Sequence, residues 1–246
     1  MDLINLIGKG ATADVYEYES RAVKLFKGYD KALIFHEAAV TSLLEKTGLP
    51  VPQIYDIRQI DGQWAIVMDL IGGEPLAHNM ANRLEDFVDL QIRIQDTSVQ
   101  GFDYLVLPSS HFICRKLIES NHSFSGELRA KLVRLLDTLP VGDKLCHNDY
   151  HGLNVLENES SLSVIDWTSA TIGSPESDCC RTYVLMKLNQ EQFAEPYLQT
   201  YCRKRKISSD AVLRWLPMVS VEWLYSGRAS NDSIFSEWIS QSIDFS

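Results

Sequence analysis

A chain of 246 residues, 45% hydrophobic and 23% charged, has the composition of a globular protein and is long enough to bury a full core. Its net charge of −10 makes it a poor general partner for nucleic acid, and no apolar run reaches the roughly 18 residues of a membrane span. The five cysteines are odd in number and form no CxxC pair, and the N-terminus lacks the pattern of a secretory signal, so reduced thiols in a cytoplasmic protein are expected.

In chain order, LINLIG (3–8) reads as a strand running into a glycine turn. ADVYEYE (13–19) alternates in strand fashion, and RAVKLF (21–26) forms a third strand. From Asp30 to Lys46 the apolar positions Ala32, Leu33, Ala39, Val40, Leu43 and Leu44 follow helical spacing. Asp30 can cap that helix, and Gly48 with Pro50 stops it. Two further strands, 54–60 and 64–70, are joined by the turn Asp61-Gly62. Beyond Gly72-Gly73 the pattern turns helical, with helices expected over 82–97, 125–138, 176–189, 190–204 and 209–226. This predicts an α+β, two-lobed architecture: residues 1–71 as a small antiparallel sheet with one helix, and 72–246 as a mainly helical lobe.

One stretch stands apart. LCHNDYHGLNVLENESSLSVIDW (145–167) holds histidines, aspartates and amides between apolar flanks, read as two short strands and loops. Buried polar groups cost free energy unless they are paired or used, so chemistry is expected here. His147-x-Asp149-x4-Asn154, followed by Ile165-Asp166-Trp167, has the spacing of a kinase catalytic loop and metal site. Asp149 would accept a hydroxyl proton, while Asn154 and Asp166 offer the hard oxygen donors that Mg²⁺ prefers. His147 is expected to donate a hydrogen bond that fixes the loop. Upstream, Gly8-x-Gly10 lies between strands, where backbone N–H groups can approach phosphates. Lys24 sits in an apolar strand, where a bare ammonium would be costly, and Glu37 on the next helix is its natural partner ahead of Glu45.

Together these motifs resemble the aminoglycoside phosphotransferase and choline kinase family, whose fold is protein-kinase-like. LCHNDYHGLNVL resembles that family's H-G-D-x-H-x-x-N-h-L loop, where h is apolar. VIDW resembles its I-D-W/F metal motif, GSPESD (173–178) its G-x-P-x-x-D continuation, and MDLIGGEPL (68–76) its hinge. The resemblance implies ATP and Mg²⁺ as cofactors and a small-molecule acceptor bearing a hydroxyl. That acceptor could be cationic: an aminoglycoside, a choline-like amine, an amino alcohol or a sugar. The nucleotide site it implies comprises Ile7, Gly8, Gly10, Thr12, Val15, Lys24, Glu37, Asp69 and Ile71, and it makes Asp178 a buried brace for the catalytic loop.

Three positions depart from the family pattern: Asn148 stands for Gly, Gly152 for Pro, and Ala13 for a third loop glycine. Ala13 is expected to stiffen the phosphate loop and Gly152 to loosen the catalytic loop. No A-P-E segment follows Asp166, which argues against an ordinary protein kinase. An atypical protein kinase and a nucleotide-binding pseudokinase stand as rival readings. Trp215, Glu222, Trp223 and Tyr225 could form an aromatic-acidic site for an amine, although aromatics at helical spacing also build cores.

Overall fold

The computed structural model describes residues 5–28, 30–102, 105–159, 161–226 and 232–243. They divide into two compact units: residues 1–83 with 151–170, and residues 84–150 with 171–246. The architecture is mixed, with a small antiparallel sheet and many helices.

The first unit is built on five antiparallel strands in the order β1-β2-β3-β5-β4: β1 Asn5–Lys9, β2 Ala13–Tyr18, β3 Arg21–Phe26, β4 Ile54–Ile60 and β5 Gln63–Asp69. The strand expected from Leu3 starts at Asn5, and residues 3 and 4 lie outside the described residues. Asp61 and Gly62 both adopt positive φ, 49° and 81°, as a two-residue hairpin turn requires. Helix α1, Lys31–Leu44, is capped by Asp30, whose side chain accepts the Ala32 N–H at 2.7 Å. Its inner face packs on one face of the sheet through Ile34 and Ala38, against Ala13, Phe26 and Ile66. Val23, Ile60, Ala65 and Val67 form a second apolar cluster.

The buried face of α1 is rotated from the expected stripe. Ile34, Glu37, Ala38, Val40, Thr41 and Leu44 are buried, whereas Ala32, Leu33 and Ala39 are exposed. Glu37, expected as the partner of Lys24, lies inside this buried face, which is turned from the stripe of apolar positions alone.

The same unit holds β6 (Glu74–Pro75), β8 (Val155–Glu157) and β9 (Leu162–Val164), an antiparallel sheet in the order β6-β8-β9. Arg83 and Asn79 bind Glu157 across it. Gly152 explains its own departure from the family proline. A Cβ there would lie 2.8 Å from the Ala77 backbone, and the Gly152 carbonyl accepts the Ala77 N–H at 2.9 Å. The residue is buried by close approach of two segments of the chain, so it tightens the loop instead of loosening it.

The second unit contains nearly all of α2 (Met80–Asp96), then α3 (Ser110–Ser120), α4 (Gly126–Thr138) and the β7–β10 pair, Lys144–Cys146 with Thr171–Gly173. Helices α5 (Pro175–Asn189), α6 (Glu191–Arg205), α7 (Ser209–Leu213), α8 (Leu216–Ser226) and α9 (Asp232–Ile243) complete it. The quoted stretch thus carries three strands, β7, β8 and β9, and not two. The helix expected over 209–226 is broken: Pro217 cannot donate to an i−4 carbonyl, so a new helix starts just before it. Helix α3 escapes the pattern because its buried positions are Ser110, Cys114 and Ile118, and two of the three are small. All five cysteines are free and buried. Among the described residues no helix is long and apolar enough to cross a membrane.

Candidate active site

In the first unit, β3 presents Ala22, Lys24 and Phe26 to one face, and Phe26 belongs to the cluster under α1. Lys24 therefore points toward the helix. Its Nζ donates to Glu37 Oε1 at 2.5 Å and lies 3.4 Å from Asp166 Oδ1. Glu45 is engaged elsewhere, accepting the Ile54 N–H at 2.8 Å. Burial works to lower the Lys24 pKa, but the charges of Glu37 and Asp166 and their hydrogen bonds outweigh it and leave the ammonium raised. Burial pushes Glu37 up, against the pull of Lys24.

The β8–β9 hairpin brings Asn154 and Asp166 together. Val155 pairs with Val164, and the Ile165 N–H donates to the Asn154 carbonyl at 3.0 Å. Asp166 follows directly, in a left-handed conformation (φ 60°, ψ 67°), and its Oδ1 also accepts the Thr168 hydroxyl at 2.9 Å. A non-glycine residue at positive φ is uncommon and concentrates where function holds it. Trp167 is fully buried, and its Nε1 donates to the Val164 carbonyl, anchoring the turn behind Asp166. Two hard oxygen side chains, one amide and one carboxylate, fit a Mg²⁺ that takes its other ligands from phosphates and water. Among the described residues no group of three or more His, Cys, Asp or Glu side chains could hold a metal by itself.

The expected phosphate loop is the β1–β2 turn. Gly8 pairs with Val15 next to a bulge at Ile7, and the Gly10 N–H donates to the Ala13 carbonyl at 2.9 Å. A Cβ on Gly10 would sit 2.9 Å from that oxygen, so glycine is required there; at Gly8 it would make only ordinary contact with Val15. Lys27 closes the loop, donating to the Gly10 carbonyl at 2.9 Å and pairing with Asp14 at 2.6 Å. The Thr12 carbonyl accepts the Lys27 N–H, and Ala13 is core, which stiffens this end. At the end of β5 the Asp69 carboxylate is taken up by Arg21, Tyr55 and the Gln53 N–H, and the Asp69 N–H donates to the Gln53 carbonyl at 2.9 Å.

Asp149 belongs to the second unit, where its loop is pinned at three successive residues. The Asn148 N–H donates to Asp178 Oδ1 at 2.8 Å. The Asp149 N–H donates to His147 Nδ1 at 3.2 Å, and the Tyr150 hydroxyl donates to the Phe87 carbonyl at 2.7 Å. In this bond His147 accepts at Nδ1. Asn148, at φ 58°, occupies the conformation for which the family uses glycine, and its Nδ2 donates to Thr171 Oγ1 at 2.7 Å. Asp178 is fully buried and braces the loop as expected from the resemblance.

The sequence reading missed the groups behind Asp178. Gln91 and Gln95 donate to its Oδ2 at 3.0 and 2.8 Å. Their signal was present: two amides four residues apart on the face of α2 that also carries Phe87, Val88 and Ile94. Among the residues considered for an aromatic-acidic site, Trp223 stacks on Phe235 and Tyr225 is exposed. Trp215 is core, and Glu222 is paired with Arg181, so its charge is matched within the chain.

Three solved structures share this fold. A thermostable mutant of aminoglycoside phosphotransferase APH(4)-Ia, in ternary complex with AMP-PNP and hygromycin B, is 16% identical with a TM-score of 0.68, covering 99% of this chain and 92% of its own. Aminoglycoside phosphotransferase APH(3'')-Id from Streptomyces rimosus, in complex with ADP and streptomycin, is 16% identical with a TM-score of 0.63, covering 85% and 89%. A choline/ethanolamine kinase family protein from Mesorhizobium loti is 17% identical with a TM-score of 0.63, covering 100% and 86%. No curated protein matches in sequence. The family model of the phosphotransferase enzyme family matches residues 4–216, most of the chain, and the chain belongs to that family.

Proposed function

We propose that this phosphotransferase moves the γ-phosphate of ATP to a hydroxyl of a small molecule, with Asp149 as the base, Asn154 and Asp166 as Mg²⁺ ligands, and Lys24, held by Glu37, on the α/β-phosphates. The observation that carries the reading is the buried Lys24–Glu37 pair standing 3.4 Å from Asp166, a cation already aimed at the metal-ligand carboxylate. Mg²⁺ held by Asn154 and Asp166 would supply positive charge to neutralise what develops on the transferring phosphoryl group. The backbone of Gly8, Gly10 and Thr12, with Ile7 and Val15, covers the phosphates and base. Asp69 and Ile71, at and just past the end of β5 in the first unit, complete the nucleotide site. Asp149 takes the acceptor's proton as its oxygen closes on phosphorus, without a phosphoenzyme.

The AMP-PNP–hygromycin B and ADP–streptomycin complexes of the two structural relatives support the nucleotide and a small-molecule acceptor. The five buried free thiols support a reducing, cytoplasmic setting. Nothing in the acidic composition favours nucleic acid. The test is ADP release from Mg-ATP with hygromycin B, streptomycin, choline, ethanolamine and simple sugars as acceptors. Acceptor-dependent release carries the proposal. Tight Mg-ATP binding with no turnover on any acceptor would replace it with a pseudokinase.

A further inference from the structure

Behind the catalytic loop, three helices of the second unit each contribute two polar residues spaced four apart. They are Gln91 and Gln95 on α2, Asp178 and Thr182 on α5, and Tyr197 and Tyr201 on α6. All six are buried, none more than 1% exposed. Residues at i and i+4 share a helix face, so each helix turns its pair to the same interior.

The bonds within the cluster run one way. The Tyr197 hydroxyl donates to Gln91 Oε1 at 2.5 Å, and the Tyr201 hydroxyl donates to Gln95 Oε1 at 2.8 Å. Arg205 Nη2 adds a third donor, 3.0 Å from Gln95 Oε1. With their carbonyls filled, both amides present only N–H to Asp178: Gln91 Nε2 at 3.0 Å and Gln95 Nε2 at 2.8 Å, both to Oδ2. Gln91 also donates to Thr182 Oγ1 at 3.1 Å, and Gln95 to the Pro175 carbonyl at 3.3 Å. Among the described residues, Asp178 Oδ1 takes the N–H of Asn148. The tyrosines thus fix which way each amide points, the amides fix the carboxylate, and the carboxylate fixes the peptide next to Asp149.

We infer that Gln91 and Gln95, oriented by Tyr197 and Tyr201, are positioning residues for phosphoryl transfer: they hold Asp178 so that Asn148, and through it Asp149, keeps its reactive placement. An apolar substitute of similar volume would fill the core equally well, so packing alone does not account for two buried amides in this register. The inference rests on the proposed role of Asp149.

The decisive variant combines Gln91→Met with Gln95→Met, which keeps length and volume and removes both donors. Folding is followed by thermal melting, backbone exchange by the Asn148 amide, and turnover by ADP release with the best acceptor of the panel above, or with water where none accepts. The expected result is faster exchange at Asn148 and a kcat lowered on the order of tenfold to a hundredfold, the scale of a misplaced catalytic group, with KM for ATP nearly unchanged. Tyr197→Phe keeps both glutamines and removes one orienting hydroxyl; it should shift the same two readouts in the same direction by a smaller factor, and it serves if the double variant does not fold. Unchanged exchange at Asn148 in a cooperatively melting variant would overturn the inference. So would faster exchange with unchanged kcat in an enzyme that loses turnover on Asp149→Asn. If Asp149→Asn itself keeps full turnover, the assignment of the base falls, and exchange at Asn148 still decides whether the glutamines hold the loop.

Discussion

Lys24 and Glu37 meet at 2.5 Å with side chains only 9% exposed, and Asp166 stands 3.4 Å from the same ammonium. One cation therefore ties the five-stranded sheet to α1 and to Asp166, just past the β8–β9 hairpin, within one unit. Lys24→Arg keeps the charge but puts a planar fork where a compact ammonium fits between a carboxylate and phosphates. Turnover is expected to fall at least about tenfold, with melting little changed. Lys24→Arg activity equal to the parent, at saturating ATP, would show that the ammonium's shape is irrelevant.

The same pair predicts a pH dependence of stability. Lys24 has a raised pKa in the folded chain, so its contribution is complete below the ordinary lysine value of 10.5 and is lost only as pH climbs through the folded value. Lys24→Met removes that partner and leaves Glu37 buried, a loss of about 3–5 kcal/mol at neutral pH. The Glu37 pKa is already raised by burial, and without Lys24 it rises further, so protonation relieves the variant as pH falls. Urea unfolding at pH 5 and pH 8 should show a smaller gap between parent and Lys24→Met at pH 5. A gap that is constant across this range would count against the pairing.

Asp149→Asn should bind Mg-ATP nearly as well as the parent and lose roughly 10²–10⁴ in turnover, the usual worth of a general base. Its backbone anchors, His147 and the neighbouring Asn148–Asp178 bond, involve main-chain N–H groups that the substitution leaves in place. Retention of more than half the parent rate with a working acceptor would remove Asp149 from the role.

Asp166→Ala takes a hard oxygen from beside Asn154 and also releases Lys24 and Thr168. Nucleotide affinity should then lose its dependence on Mg²⁺ concentration, while metal-free affinity changes little. A magnesium titration of ATP binding that superimposes on that of the parent would rule out Asp166 as a ligand.

Much of this site was legible because the chemistry needs rare residue types at fixed spacing. A lysine inside an apolar strand, and an aspartate and asparagine five apart in a loop, stand out against their surroundings. The five strands and the Asp61-Gly62 turn were read from alternation and turn chemistry, and they are local features. What failed was non-local. Glu37 sits inside the buried face of α1, where its partner Lys24 on β3 offsets the cost, so the stripe read from α1 alone was rotated. Gln91, Gln95, Thr182, Tyr197 and Tyr201 satisfy one another across three helices, and no window of one helix contains the reason for any of them. Gly152 looked permissive because its tight neighbour, Ala77, lies 75 positions earlier in the chain.

Asn148 offers a test of how the loop tolerates its departure from the family glycine. Its φ of 58° lies in the left-handed region, which asparagine enters more readily than other side-chain-bearing residues. Bonds that hold it there include its N–H to Asp178 at 2.8 Å and its Nδ2 to Thr171 Oγ1 at 2.7 Å. Asn148→Gly relaxes the backbone demand and keeps the N–H, so it gives up only the side-chain bond, about 1 kcal/mol, partly offset by the freedom gained at this φ. Asn148→Val keeps a side chain but makes it β-branched at positive φ, adding about 1–2 kcal/mol of strain to the lost bond. Strain of that kind is relieved by rotating the peptide, which carries the N–H away from Asp178 and Asp149 away from its place. The glycine variant should therefore unfold near the parent in urea and keep most of its kcat. The valine variant should be less stable by about 2–3 kcal/mol and lose turnover beyond what that stability change explains. If valine matches glycine in both measurements, the left-handed peptide at Asn148 is not what sets the placement of Asp149.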